Sequence, residues 1–184
     1  MQFNKHSDLK GLHAFLGASK YSWTNYSDEH LEERYRLSMA AQEGSRLHDF
    51  AHQAISLGIT LPRTNKTLNR YVNDAIGFRM TSEQTLYYSI NCFGTADTIR
   101  YKRGQLRIHD LKTGVTKASF RQLEIYAALF CLEYRVPPGE LEFILRIYQN
   151  DDVEEYIPGY DDIAHIMDTI IRFDKRIEEL KLEA

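Results

Sequence analysis

The sequence predicts a domain of mixed α/β class, because segments with helical and with strand periodicity follow one another along its 184 residues. The predicted order is helix, three strands, helix, strand. A chain of this length can bury a sizeable core and most often forms one domain. We therefore expect a single domain over residues 1–184, with a helical segment at the N-terminus and a long helix at the C-terminus.

The first part of the chain is predicted to be helical. Residues 27–58 have helical periodicity, with Ser27 or Asp28 as the N-cap and Gly58 as the stop signal. Gly44 lies within this segment and costs helix stability. It therefore indicates either a boundary between two helices or a close approach to another part of the chain. A second amphipathic helix is predicted over 67–80.

The middle of the chain is predicted to form strands. Residues 85–101 are rich in β-branched and aromatic side chains, residues 102–104 form a basic turn, and residues 105–111 alternate in polarity. Helical periodicity returns over 117–134 and ends at the prolines that follow. A strand over 141–150, a hairpin partner at 153–157 and a helix from 160 to the C-terminus complete the prediction.

Composition excludes several classes of protein. The net charge is −3, so the whole chain carries no basic field, although residues 95–126 hold seven Lys or Arg against three acids. No apolar run is long enough for a membrane helix, and the N-terminus has no signal-peptide core. Cys92 and Cys131 lack the spacing of a metal site, which favours buried free thiols and a cytoplasmic location.

Three charged residues stand where strands would prefer apolar ones. Asp97 and Asp110 would lie roughly opposite each other if the strands turn at 102–104, and Lys112 would share a face with Asp110. Considered alone, Asp97 could be a turn residue. Asp110 and Lys112, considered as a pair, could lie on the surface. Together they favour a site, because buried charges are costly unless paired or bound to a metal. Two carboxylates suit Mg²⁺ or Mn²⁺, and a lysine can act on water or on a phosphate.

Four short motifs around these residues resemble those of a known family. In order they are "GSRLH", "GTAD", "IHDLKTG" and "RQLEIYA". Together they resemble the nuclease domain of the RecB-like branch of the PD-(D/E)XK superfamily, which includes CRISPR-associated RecB-like and phage exonucleases. The resemblance covers roughly residues 40–150. It implies a restriction-endonuclease-like αβββαβ core, in which helices flank a mixed central sheet.

The resemblance also implies roles for residues of the site. The ligands of a catalytic Mg²⁺ or Mn²⁺ would be the side chains of His48, Asp97 and Asp110 and the backbone carbonyl of Leu111. Lys112 would be the catalytic lysine. On the following helix, two residues four apart would line the site and contact DNA or the lysine; these are Gln122 and Tyr126.

The implied function is metal-dependent hydrolysis of DNA phosphodiester bonds, by an exonuclease acting on ends or single strands in recombination, replication or repair. The expected partners are further copies of the chain, in a homo-oligomer, or a single-strand annealing or binding protein. No membrane is involved. If the chain is phage-encoded, the protein would act in the host cytoplasm. The alternative is a catalytically idle nuclease fold that binds DNA or protein. Many relatives hold an iron–sulfur cluster on four cysteines, whereas this chain has two, so we expect no cluster. Contributions from Glu43 and His52 stay open.

Overall fold

The computed structural model describes residues 4–183, and the chain divides into two compact units, residues 1–43 and 44–184. The smaller unit contains two short 3-10 segments, Ser7–Leu9 and Ala18–Asn25, and the beginning of the first helix. The indole N–H of Trp23 donates a hydrogen bond to the carbonyl of Gly17 in this unit. That residues 1–43 pack on the rest of the chain as part of one domain stays a prediction.

The larger unit contains the sheet and the helices around it. Its elements follow the predicted order, and their bounds are α1 (Asp28–Leu57, which begins in the smaller unit), α2 (Thr67–Phe78), β1 (Thr81–Ser89), β2 (Cys92–Lys102), β3 (Gln105–Leu111), α3 (Arg121–Tyr134), β4 (Glu142–Gln149), β5 (Asp152–Tyr156) and α4 (Tyr160–Glu183). No helix in the described part of the chain is both long and apolar enough to cross a membrane.

The five strands form one mixed sheet in the order β1-β2-β3-β4-β5. Neighbouring strands are antiparallel except β3 and β4, which are parallel and are connected through α3. The prediction of a mixed central sheet flanked by helices is therefore confirmed. The central strand β3 is buried from Leu106 to Leu111, which is expected when helices cover both faces of a sheet.

Side chains of β3 alternate between two apolar clusters. Leu106 and Ile108 pack in one cluster with α3 and α4. Leu111 packs in the other with Tyr148, α2 and the end of α1. Because successive strand residues point to opposite faces, Asp110 belongs to the α3 face and His109 to the α2 face. His109 was predicted to face away from Asp110, and it lies against Phe78 and Tyr148.

The structure decides between the two interpretations of Gly44, and one predicted helix boundary is wrong. Helix α1 is continuous, so Gly44 does not separate two helices; instead it marks a close approach, since a Cβ there would lie 2.7 Å from the Thr113 hydroxyl oxygen. Helix α3 begins at Arg121 rather than at residue 117. Before it, the side chain of Gln149 accepts a hydrogen bond from the backbone N–H of Ala118 and donates to the carbonyl of Thr116. These tertiary contacts hold the preceding segment in an irregular conformation.

The strand and turn predictions hold with small shifts. Strand β1 begins at Thr81, four residues before the predicted strand region, and α2 ends at Phe78 with Arg79 in a left-handed conformation, φ 54°. The turn between β2 and β3 consists of Arg103 and Gly104, both with positive φ, as in two-residue hairpin turns of type I′. This turn sets the register that positions the candidate site.

Candidate active site

Three carboxylates lie side by side across three neighbouring strands. The pairs Ser82–Thr98 and Gln84–Ala96 join β1 to β2, so Glu83 stands opposite Asp97. The register of β2 and β3 pairs Thr98 with His109, so one residue further Asp97 stands opposite Asp110. The opposition of Asp97 and Asp110 was predicted from the sequence, whereas Glu83 was not.

Asp97 is the central member of this row. Its Oδ2 accepts a hydrogen bond from the backbone N–H of Leu111 at 2.9 Å and lies 3.4 Å from Nδ1 of His48. His48 comes one turn after Gly44 on α1, at the level where that glycine lies against Thr113. The structure thus brings His48, Asp97 and Leu111 together.

His48, Glu83 and Asp97 form a cluster with the donor atoms that metal ions use. Each offers one ligand atom, and these atoms all lie within 4.8 Å of one another. Glu83 has φ 52° in the middle of β1, a left-handed conformation that non-glycine residues rarely adopt. Its pKa is raised, first by burial and then by the negative charge of Asp97. Strained backbone at a polar cluster is common at functional sites.

His52, one turn after His48, is not a member of that cluster of three. Its Nδ1 is hydrogen-bonded to the hydroxyl of Ser82 at 2.9 Å. This contact links α1 to β1 immediately beside Glu83. His52 therefore helps to hold the strand that carries Glu83.

Asp110 is the most deeply buried of the three carboxylates, with 1% of its surface exposed. Burial, reinforced by the charge of Asp97, raises the pKa of Asp110 to about 6 against the favourable influence of Lys112 and His48. Lys112 Nζ donates a hydrogen bond to Oδ1 at 3.1 Å and forms an ion pair with Oδ2 at 2.9 Å. No residue in the described range 4–183 makes a hydrogen bond to Oδ2, so this oxygen depends on its ion pair with Lys112 in a low-dielectric site.

A chain of hydrogen bonds continues from Lys112 to α3. Lys112 Nζ donates to Gln122 Oε1 at 2.9 Å, and Gln122 Nε2 donates to the hydroxyl of Tyr126 at 2.8 Å. The ring of Tyr126 lies on Gly94 of β2, where a Cβ would be 2.9 Å from Cε1 of the ring. Gly94, Gln122 and Tyr126 thus fix the side-chain position of the lysine.

The residues fit a hard divalent cation. Carboxylate oxygens are its preferred ligands, and an imidazole nitrogen is compatible with Mn²⁺. Asp110 Oδ2 is a buried acceptor to which none of the described residues donates a hydrogen bond. A cation would also relieve the repulsion between Asp97 and Asp110, which contributes to the raised pKa of Asp110. The cluster within 4.8 Å contains Glu83 and not Asp110, so the structure adds a ligand candidate to the set that the family resemblance implies.

No family model, no curated protein and no solved structure matches this chain. The resemblance to RecB-like nucleases therefore depends on the four sequence motifs. Fold and site by themselves define a mixed α/β domain with a cluster of histidine, carboxylates and lysine at the end of its central strand.

Proposed function

We propose that this protein is a Mg²⁺- or Mn²⁺-dependent deoxyribonuclease that hydrolyses phosphodiester bonds. The observation that carries the proposal is the meeting, at the end of β3, of Asp97 and Asp110 with Lys112, while His48 and Glu83 lie beside Asp97. Maintaining these charges near the core costs stability, which is expected of residues kept for chemistry.

In this proposal His48, Glu83, Asp97 and Asp110 hold the metal, together with the backbone carbonyl of Leu111. A bound divalent cation activates water and neutralises charge on phosphate oxygens. The chain contributes a rigid frame for it, because the carboxylates belong to adjacent strands and Asp97 is fixed by the N–H of Leu111. His48 would bind the metal through a neutral imidazole nitrogen.

Lys112 acts on the substrate in this scheme and is not a ligand. An ammonium group has three N–H donors, of which Asp110 and Gln122 each accept one. The third can donate to a phosphate oxygen as negative charge develops there, or orient the attacking water. Gln122 and Tyr126 serve as positioning residues for this ammonium group.

DNA is the proposed substrate because basic residues flank the site. Lys117 and Arg121 follow β3 in the loop and at the start of α3, with side chains 77% and 64% exposed. Lys117 pairs with Glu154 on the surface, and such an exposed pair contributes little stability, so a DNA phosphate can compete for this lysine. Arg121 pairs with the buried Glu124 and keeps an exposed side chain. An exonuclease that works on ends or single strands beside a recombination partner is the finer form of the proposal.

Cleavage of two DNA forms tests the proposal. End-labelled linear duplex and covalently closed circular DNA are incubated with the protein in Mg²⁺, Mn²⁺ or EDTA. We expect degradation of the linear DNA with either metal, none in EDTA, and little of the closed circle. Cutting of the circle at the same rate would establish an endonuclease, and no cleavage of either form would favour the idle, binding role.

The contact between Gly94 and Tyr126 gives a first prediction. In Gly94→Ala the new Cβ displaces the Tyr126 ring, and with it the Gln122 side chain that holds Lys112. We expect the initial rate of DNA cleavage in Mn²⁺ to fall by about 10- to 100-fold. Gly77→Ala in α2 is the control, because a Cβ there meets no atom within 4 Å. Wild-type kinetics in Gly94→Ala would show that the position of Tyr126 is unimportant.

Glu83 gives a second prediction. Glu83→Gln removes one negative charge from the cluster and leaves its shape almost unchanged, so the Kd for Mn²⁺ measured by calorimetry should rise by about tenfold or more. Glu140→Gln, on the exposed turn before β4, is the matched control and should bind Mn²⁺ normally. Unchanged affinity in Glu83→Gln would remove Glu83 from the ligand set and leave the other ligands in place.

A further inference from the structure

A polar cavity lies near the turn between β2 and β3, with a volume of ≈ 360 Å³. Its walls are strongly basic. Four cationic residues line the cavity, and an aromatic and an amide side chain lie beside them: Arg100, Lys102, Arg103 and Arg107, with Phe78 and Gln105. Four cations around one cavity create a strong local positive potential.

Arg107 is the buried member of this group. It is 9% exposed, and its Nη1 has no hydrogen-bond partner among residues 4–183. Its Nη2 makes only a long contact, 3.5 Å, with Oε1 of Gln105. An unsatisfied guanidinium N–H in a buried position is costly, and an anion in the cavity would satisfy it.

The anionic groups near the cavity do not neutralise it. Among the described residues Glu142 is the one carboxylate on the walls, and its Oε2 accepts a hydrogen bond from Nε2 of Gln105 at 2.9 Å. Glu155 also acts on Arg107, but it is paired with Arg146 at 2.6 Å. Arg100 donates to the backbone carbonyl of Phe78, which carries no net charge. The wall residues therefore keep an excess of positive charge.

This cavity is separate from the candidate active site. Arg107 lies three residues before Asp110 on β3, about 10 Å along the strand. An odd spacing places the two side chains on opposite faces of the sheet, and Arg107 contacts Phe78 on the α2 face. A group bound in the cavity would thus be distinct from one held by Asp97 and Asp110.

We infer that this cavity is a phosphate-binding site. Several cations around one cavity match a multiply charged tetrahedral anion better than a single carboxylate, and arginine binds phosphate in a bidentate manner. The site is not built to stack a base, because the ring of Phe78 is covered by the guanidinium groups of Arg107 at 4.0 Å and Arg146 at 5.4 Å. The phosphate can belong to the backbone of DNA or to a free phosphate or small phosphorylated molecule.

Binding of inorganic phosphate tests this site. Thermal unfolding is followed in EDTA while phosphate replaces chloride at constant ionic strength, and an apparent Kd is obtained from the shift in Tm. We expect phosphate to stabilise the wild-type protein. In Lys102→Gln/Arg103→Gln, two exposed changes at the turn, the apparent Kd should rise by about tenfold or more. Arg107→Gln should lose the response as well, provided that it folds.

The control and a second probe make the test decisive. Arg135→Gln/Lys175→Gln removes the same charge from exposed positions outside the cavity and should respond to phosphate like the wild type. A short single-stranded DNA without terminal phosphates is titrated in parallel. If the turn variant also binds this DNA more weakly than the control, the phosphate is that of DNA; if only the phosphate response is lost, it is a free or small-molecule phosphate.

The proposal would be overturned if phosphate did not specifically stabilise the wild type. It would also be overturned if the turn variant and the wild type responded equally. Equal losses in the turn variant and the control would do the same, because they would show a general charge effect. All measurements are made in EDTA, so their outcome is independent of the proposed nuclease activity.

Discussion

Lys112→Ala should cleave DNA about 10²- to 10³-fold more slowly than the wild type while binding Mn²⁺ with nearly unchanged affinity. The reason is that the ammonium group stabilises charge on the phosphate or orients water, and the loss of such a donor typically costs about 10²–10³ in rate. The metal ligands stay in place. Cleavage is measured as the initial rate of product release, and Mn²⁺ binding by calorimetry at pH 8, where Asp110, with its pKa of about 6, is ionised.

The control for this variant is Lys175→Ala. Lys175 is an exposed residue of α4 with no role in the proposed site, so its loss should change neither binding of Mn²⁺ nor the rate by more than a few-fold. Circular dichroism checks that Lys112→Ala is folded, because Asp110 loses its partner there. A Lys112→Ala protein that has lost Mn²⁺ binding, or one that still cleaves at the wild-type rate, would contradict the role given to the lysine.

Asp110→Asn should weaken Mn²⁺ binding and cleavage together, yet make the metal-free protein more stable. Removing a charged ligand should raise the Kd for Mn²⁺ by about tenfold or more. The same substitution removes a buried charge that the folded state disfavours, so the free energy of unfolding in EDTA at pH 8 should rise on the order of 1–3 kcal/mol. Asp168→Asn on the exposed side of α4 is the control and should change neither quantity.

The stability gain of Asp110→Asn should depend on pH in a defined direction. The Asp110 carboxyl has a pKa of about 6 in the folded protein and an ordinary value of 3.8, so between these pH values the folded state binds more protons. Wild-type stability therefore declines through this contribution as pH rises from about 4 to about 6. The difference between variant and wild type in urea unfolding should be small at pH 4 and largest above pH 6. A difference that is largest at pH 4 would contradict this sign.

The sheet was largely predictable because local sequence sets it. Alternation and β-branched residues marked the strands, and the turn at Arg103 and Gly104 fixed the register that puts Asp97 opposite Asp110. The start of α3 was not predictable, since the hydrogen bonds that delay it come from Gln149, some thirty residues further along the chain. Local propensity could not reveal a tertiary contact that overrides it.

The candidate site was also predictable only in part. Asp97, Asp110 and Lys112 stood out because charged residues are unusual within buried strands. Glu83 did not, because it lies in the polar segment "TSEQT", which has the composition of an exposed strand. Only the register of β1 against β2 places it opposite Asp97, and that register depends on an irregularity between Tyr87 and Ser89 in β1. If the pairing register of β2 and β3 had been extended to β1, it would have indicated Glu83 as a residue of the site.

The central claim is that the candidate site holds the catalytic metal. It is tested most directly by a titration of the protein with Mn²⁺ in which DNA cleavage and metal occupancy are both measured. In one set of samples, free Mn²⁺ is measured by electron paramagnetic resonance, and the rate of cleavage of linear DNA is measured in parallel. If His48, Asp97 and Asp110 hold the catalytic metal, the rate should rise in proportion to occupancy of a site that Asp110→Asn weakens, and reach its maximum when that site is full. Full activity at Mn²⁺ concentrations that leave the site empty, or no cleavage when it is full, would contradict the account.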